Sequence, residues 1–141
     1  MPTLKLTQVI KRPVEEVFGT VADGANFHKW NPTIRSARKV SEGGTVSGST
    51  FEWDLRGFGK VHQEVQAFRQ NKQIRFVPHI KSLEGGHRFI FTGLGNETRI
   101  DHELEMIPKG LFKLFSPFMG MMGRKNLRDT ANALQRYLER T

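Results

Sequence analysis

The chain of 141 residues contains no cysteine. Disulfide bonds, thiolate metal sites and a cysteine nucleophile are therefore excluded. A chain of this length can bury roughly two-thirds of the surface that its unfolded form exposes, so a core can form without such cross-links. We expect one ordinary domain over residues 1–141, and the lack of cysteine fits a reducing compartment.

Long hydrophobic runs are also absent. No stretch approaches the roughly 20 apolar residues that a membrane-spanning helix needs. The N-terminal residues Met1 to Leu6 have no apolar signal-peptide core. We therefore expect a cytoplasmic protein without integral membrane association.

Motifs for metals and nucleotides are missing as well. No His–Glu pair recurs at a metal-ligand spacing. No glycine-rich loop follows a predicted strand and opens a helix, as a phosphate-binding loop does. We therefore expect neither a metal nor a cofactor.

The net charge is +8, from 22 Lys and Arg against 14 Asp and Glu. Such a charge can attract nucleic acid, an anionic membrane or an acidic ligand. Most of the cations are scattered singly along the chain, and residues 109–141 form a modestly basic helix rather than a basic arm. This helix has either a solvated face or a surface for an anionic partner, and nucleic-acid binding is not expected.

Alternating polar and apolar residues predict seven strands, at 4–10, 33–41, 49–56, 60–69, 73–78, 87–94 and 97–107. Helical spacing predicts two short helices between the first two strands, at 14–22 and near 25–29. Glu84-Gly85-Gly86 predicts a turn before the sixth strand. Ser116-Pro117 predicts the start of a long C-terminal helix, whose apolar stripe is Leu127, Ala131, Leu134 and Leu138.

This order of elements predicts an α+β fold. Consecutive strands with short connections form an antiparallel sheet. Because each strand is apolar on one side, the sheet needs a cover, and the C-terminal helix is the one element long enough. A seven-stranded sheet that curves around this helix leaves a cavity wherever the helix does not fill it.

Three segments carry a resemblance to a known family. They are residues 10–18 followed by Asp23, Trp30-Asn31-Pro32 after the second helix, and residues 134–139 at the C-terminal end. With the order of elements, they resemble the START-like (SRPBCC) superfamily and, within it, the polyketide cyclase/dehydrase-like branch. The resemblance implies the helix-grip fold. It does not choose a function, because the superfamily includes lipid carriers, plant hormone receptors, pollen-allergen-like proteins, polyketide cyclases and chaperone activators.

The side-chain alternation of each strand predicts which residues face inward. These residues either fill the core or line the cavity. We expect cavity lining near the start of the C-terminal helix and ordinary core along its apolar stripe, with Trp30 as either a gate or a structural wedge. The predicted ligand-binding residues are Trp30, Phe51, Trp53, Phe76, Phe89, Phe91, Ile100, His102, Leu104, Phe115, Phe118, Met121 and Met122.

Within residues 118–123, Gly120 and Gly123 alternate with methionines. Glycine weakens a helix by about 1 kcal/mol relative to alanine, and methionine adapts to irregular partners. The glycines indicate either a close approach of helix and sheet or a deformable cavity wall. The segment could also touch a membrane.

His102 lies in the middle of a predicted strand, on its apolar face. It is either a core residue with its hydrogen bonds satisfied or the group that orients a ligand or moves a proton. His87 is similar but nearer a turn. These two are the candidate catalytic residues, and no other inward acid or base stands out, which counts against catalysis.

The sequence thus predicts binding or carriage of a small hydrophobic or aromatic molecule, lipid-like or polyketide-like, in a cavity between sheet and helix. One alternative is a polyketide cyclase or dehydrase that uses a cavity histidine as acid or base. A second is an interaction module that uses the basic helix. The expected partner is the small ligand, and a homodimer stays open.

Overall fold

The computed structural model describes residues 3–140, although the side chains of Phe112, Phe115 and Ser116 lie outside that description. Within this range the strands are β1 (Thr3–Ile10), β2 (Ile34–Lys39), β3 (Thr50–Leu55), β4 (Gly59–Arg69), β5 (Gln73–Pro78), β6 (Leu83–Leu94) and β7 (Glu97–Pro108). The helices are α1 (Val14–Ala22), a first 3-10 helix (Gly24–Lys29), a second 3-10 helix (Gly110–Phe115) and α2 (Ser116–Glu139).

The strands form one antiparallel sheet in the order β1-β7-β6-β5-β4-β3-β2. Strands β2 to β7 pair consecutively as a meander, and β1 pairs with β7 along its whole length. The predicted α+β fold is confirmed: a seven-stranded antiparallel sheet, two short helices between β1 and β2, and a long C-terminal helix.

The predicted turn at Glu84-Gly85-Gly86 is wrong, because these residues lie inside β6. Gly85 pairs with Met106 and Gly86 with Glu105 of β7. A Cβ on Gly86 would stand 2.6 Å from the Phe76 carbonyl oxygen, which is too close for any side chain. The two glycines therefore allow neighbouring backbones to approach each other, a role that glycine has in strands as well as in turns.

α2 packs across β1 and β7. It begins at Ser116, as the Ser116-Pro117 pair predicts, and its apolar stripe is buried as core, at Leu127, Ala131, Leu134 and Leu138. A Cβ on Gly123 would lie 2.8 Å from Met106 Sδ and 2.9 Å from Leu4 Cδ1, whereas Gly120 faces open space. Close helix–sheet approach therefore explains Gly123 and does not explain Gly120.

The other end of the concave face has a different cover. The first 3-10 helix packs against β2 and β3, and α1 packs against β6. Phe27 of this 3-10 helix is buried among the aromatic residues of the sheet. The concave face is thus covered from both ends, and a gap remains between the two covers.

Candidate functional site

A cavity of about 300 Å³ occupies this gap. Three of its lining residues, Glu84, Met122 and Asn126, are exposed, so the cavity opens between β6 and the first turns of α2. The lining is mainly apolar and comprises Phe27, Asn31, Thr33, Ile34, Trp53, Leu55, Gln63, Phe76, Pro78, Leu83, Glu84, Gly85, Gly86, His87, Phe89, Leu104, Glu105, Met106, Met122, Gly123, Asn126 and Thr130.

Aromatic rings form the inner wall of the cavity. Phe27 stacks on Trp53 with ring centroids 4.3 Å apart and meets Phe76 edge to face at 5.1 Å. The indole N–H of Trp53 donates a hydrogen bond to the Gly24 carbonyl oxygen at 2.9 Å. Because this polar group is already satisfied, the wall presents mainly apolar ring surface to the cavity.

One histidine lies in the cavity wall and a second lies directly behind it. His87 lines the cavity and stacks on Phe89, with ring centroids 4.0 Å apart. His102 is fully buried behind it, and its Nδ1 lies 3.0 Å from His87 Nε2. The other ring nitrogen of His102 lies 2.7 Å from Gln8 Oε1. Both nitrogens of His102 are therefore engaged within the protein.

Burial disfavours the charged form of both rings. It lowers the pKa of His102 from 6.5 to about 4. Burial, together with the neighbouring His102, also lowers the pKa of His87 well below 6.5. Both histidines are therefore neutral near pH 7.

Two polar side chains, one from the sheet and one from α2, also line the cavity. Gln63 of β4 is 5% exposed and Thr130 of α2 is 3% exposed. Among the described residues, no group forms a hydrogen bond with the Gln63 side-chain amide. That amide is accessible to water-sized molecules. Since Gln63 lines the cavity, its amide is open to a molecule that enters the cavity.

Six residues with predicted site roles do line the cavity. They come from β3, β5, β6, β7 and α2, so the strand alternation places them on the expected face. They are Trp53, Phe76, His87, Phe89, Leu104 and Met122.

Four of the predicted residues lie behind the cavity wall instead. Phe51, Phe91 and Ile100 are buried in the core, and His102 is separated from the cavity by His87. Their side chains point to the predicted face of the sheet, but other core residues separate them from the cavity.

The remaining predicted residues lie away from the cavity or outside the description. Trp30 is buried, packs on Phe27 at 4.5 Å and borders a separate groove beside Tyr137. Phe118 and Met121 are exposed on α2. The Phe115 side chain lies outside the described part of the chain.

Sequence reasoning missed Phe27, Gln63 and Thr130 as lining residues. Phe27 is the large apolar residue of the short helix before Trp30, and that position was a usable signal. Gln63 lies between Val61 and Val65 on β4, and their shared parity would have placed it on the inner face. Thr130 lies next to Ala131 of the core stripe, and periodicity alone does not mark it.

Comparisons with known proteins give a family match for the sequence and structural matches for the fold. The sequence model of a family described as polyketide cyclase / dehydrase and lipid transport matches residues 1–139. A START superfamily protein from Mycobacterium smegmatis superposes with a TM-score of 0.76 at 20% identity, with 97% of each chain covered. A protein from Thermus thermophilus superposes with a TM-score of 0.78 at 17% identity, and Ara h 8.0201 with 0.72 at 18%, again with 97% of each chain covered.

A comparison with curated proteins finds no match. No helix among residues 3–140 has the length and apolar character needed to cross a membrane. In the same part of the chain, no three His, Asp or Glu side chains are grouped so that they could hold a metal ion.

Proposed function

Because the chain belongs to the polyketide cyclase/dehydrase and lipid transport family, we propose that it binds and carries a small hydrophobic molecule in the cavity between the sheet and α2. One observation carries this proposal: the cavity of about 300 Å³ walled by Phe27, Trp53, Phe76 and Phe89. Ligand cavities in proteins begin at about this size and are typically lined by apolar and aromatic side chains.

The energetics of the wall favour an apolar occupant. At roughly 30 Å³ for each water molecule, the cavity has room for about ten waters. An apolar molecule that replaces them gains about 25 cal/mol for each Å² of apolar surface removed from water. The ligand therefore has the size of a small ring compound or a short acyl chain.

Catalysis is a second candidate, and a single observation favours it: His87 stands in the cavity wall. A neutral histidine can accept a proton from a bound substrate. His102, the other candidate acid or base, is fully buried with both ring nitrogens engaged, so it would position His87 rather than touch a substrate. Since nothing else among the described lining residues forms a proton-transfer pair with His87, carriage is the function that the site supports best.

Filling the cavity tests the proposal. Met106 lines the cavity, whereas the next residue, Ile107, borders a shallow depression that Met106 does not line. We expect Met106→Trp to weaken binding of the neutral dye prodan by more than about tenfold, or ~1.4 kcal/mol. Ile107→Trp, the matched control, should bind the dye as the unmodified chain does.

Fluorescence titration of the dye measures both affinities. Equal loss in the two variants, or no loss in either, would show that the dye does not occupy this cavity and would contradict the proposal. Circular dichroism of each variant separates a lost site from a lost fold.

A further inference from the structure

The direction of one buried hydrogen-bond chain can be deduced from the backbone carbonyl at its end. The carbonyl oxygen of Ala131 can only accept, so the Gln8 group that faces it at 2.9 Å is the Nε2 amide, which donates. The Gln8 carbonyl oxygen, Oε1, then faces His102 and accepts. The orientation of the Gln8 amide is therefore fixed.

This orientation sets the hydrogens on both histidines. His102 Nε2 carries a hydrogen and donates it to Gln8 Oε1 at 2.7 Å. A neutral His102 has no hydrogen on Nδ1, which therefore accepts from His87 Nε2–H at 3.0 Å. A neutral His87 in turn has no hydrogen on its own Nδ1.

His87 Nδ1 is thus an acceptor without a partner. No described residue donates a hydrogen bond to it, and the atom is accessible to a water-sized molecule. The ring forms part of the cavity wall and is covered on one face by Phe89. The unused lone pair is therefore available to a molecule in the cavity.

We propose that the cavity selects molecules that combine an apolar ring body with a hydroxyl or N–H donor, and that His87 Nδ1 accepts the hydrogen bond from that donor. The nine-tenths-buried Gln63 amide, which also lacks a partner among the described residues, supplies a second polar contact from the same sheet, two strands away from His87. This inference rests on the proposed ligand binding and adds the chemical class of the ligand.

Three matched ligands test it on the unmodified chain. They are 2-naphthol, which donates a hydrogen bond, its methyl ether, which only accepts, and 2-methylnaphthalene, which does neither. One hydrogen bond to a buried acceptor predicts that 2-naphthol binds about tenfold more tightly than either analogue. His87→Phe should remove this preference, so that 2-naphthol binds no more tightly than 2-methylnaphthalene.

The outcomes separate the two proposals. Equal binding of all three ligands to the unmodified chain would overturn the selection by His87 and leave the hydrophobic cavity in place. Failure of all three to bind would overturn the proposed function itself. Because the ligand series needs no variant, the test holds even if His87→Phe does not fold.

A different observation carries a second inference. Five large hydrophobic side chains of the second 3-10 helix and the start of α2 are exposed: Leu111 (81%), Leu114 (77%), Phe118 (63%), Met121 (63%) and Met122 (66%). We call them the exposed apolar patch. Leu111 and Leu114 are three residues apart on the 3-10 helix, and Met121 and Met122 follow Phe118 by three and four residues on α2, so each helix presents its exposed apolar side chains on one side. A patch of this kind marks a surface that contacts something apolar.

Cations flank this patch in the sequence. Residues 109–128 contain five Lys or Arg, all exposed, and no Asp or Glu. Lys109 pairs with Glu84 and Lys125 with Asp129, both at 2.7 Å, so the charges are partly balanced and the region stays net positive. The cations are Lys109, Lys113, Arg124, Lys125 and Arg128.

We infer that the exposed apolar patch docks on an anionic lipid surface, with its apolar side chains at the headgroup boundary and its cations against the lipid charge. A second copy of the chain fits less well, because a symmetric contact would bring the same cations face to face. Met122 belongs both to the patch and to the cavity lining. Docking would therefore place the cavity opening at the lipid surface.

Vesicle co-sedimentation tests this docking. We expect binding to phosphatidylcholine vesicles that contain phosphatidylserine, weak binding to phosphatidylcholine alone, and loss of binding at high salt. Leu114→Ser with Phe118→Ser should abolish binding, whereas Val46→Ser with Phe58→Ser, exposed hydrophobic residues elsewhere, should leave it unchanged. Arg124→Glu should weaken binding more than about fivefold, since each cation near the surface contributes about that factor.

Equal binding by the two double variants would overturn the docking. So would a dimer in solution that Phe118→Ser converts to a monomer, because the patch would then be covered by a second copy. All four residues in the double variants are exposed, so the variants are expected to keep the fold.

Discussion

The buried His102 makes stability depend on pH. Its pKa falls from 6.5 in the unfolded chain to about 4 in the fold because the ring is desolvated. Between these two values the unfolded chain binds more protons, so stability decreases as the pH falls through this window. His87 faces it at 3.0 Å with its pKa lowered in the same direction, and Asp101, adjacent in sequence, opposes the shift in His102.

We predict that the lowered pKa of His102 alone decreases the free energy of unfolding by about 2 kcal/mol when the pH falls from 7 to 5. His102→Gln keeps a hydrogen-bonding side chain but cannot titrate, so its stability should fall less over this range. His79→Gln, at an exposed histidine paired with Glu64, is the control and should keep the full dependence. Urea denaturation at the two pH values measures the difference, and an equal loss of stability for His102→Gln and the unmodified chain would contradict the assignment.

At the scale of elements, β6 shows where sequence reasoning succeeds and where it fails. The alternation of Phe89 and Phe91 predicts the inner face of this strand correctly. Gly85 and Gly86 predict a turn, but the need for glycine here comes from the neighbouring strands β5 and β7, which are distant in sequence. A local pattern cannot distinguish a glycine needed for a turn from one needed for close packing.

We predict that Gly86→Ala destabilises the fold by about 1–3 kcal/mol, because the added methyl meets the backbone carbonyl of Phe76, which cannot move without breaking the sheet. Gly44→Ala is the matched control, since nothing lies within 4 Å of its added methyl. Thermal and urea unfolding of both variants check this. A stability for Gly86→Ala equal to that of Gly44→Ala would show that β5 and β6 are not packed as described.

At the scale of the whole molecule, the fold could be predicted and the position of the cavity only in part. The alternation of residues in the strands and the long final helix are enough to predict the antiparallel sheet and its inner face. We expect the cavity at the Phe115–Met122 end of the helix, facing Trp53, Phe76, Phe89, Phe91 and His102. Trp53, Phe76, Phe89 and Met122 do line it. Phe118 and Met121 are exposed instead, and Phe27 supplies part of the wall. Periodicity gives the direction of a side chain but not how far the sheet curls or which element covers each part of it.

A crystal structure of the chain grown with 2-naphthol would show whether an aromatic hydrogen-bond donor occupies the cavity. We expect the naphthalene ring inside the cavity, against Trp53 and Phe76, with its hydroxyl oxygen about 3 Å from His87 Nδ1. Ligand density in the groove beside Trp30 and Tyr137, with this cavity filled by protein side chains, would contradict it.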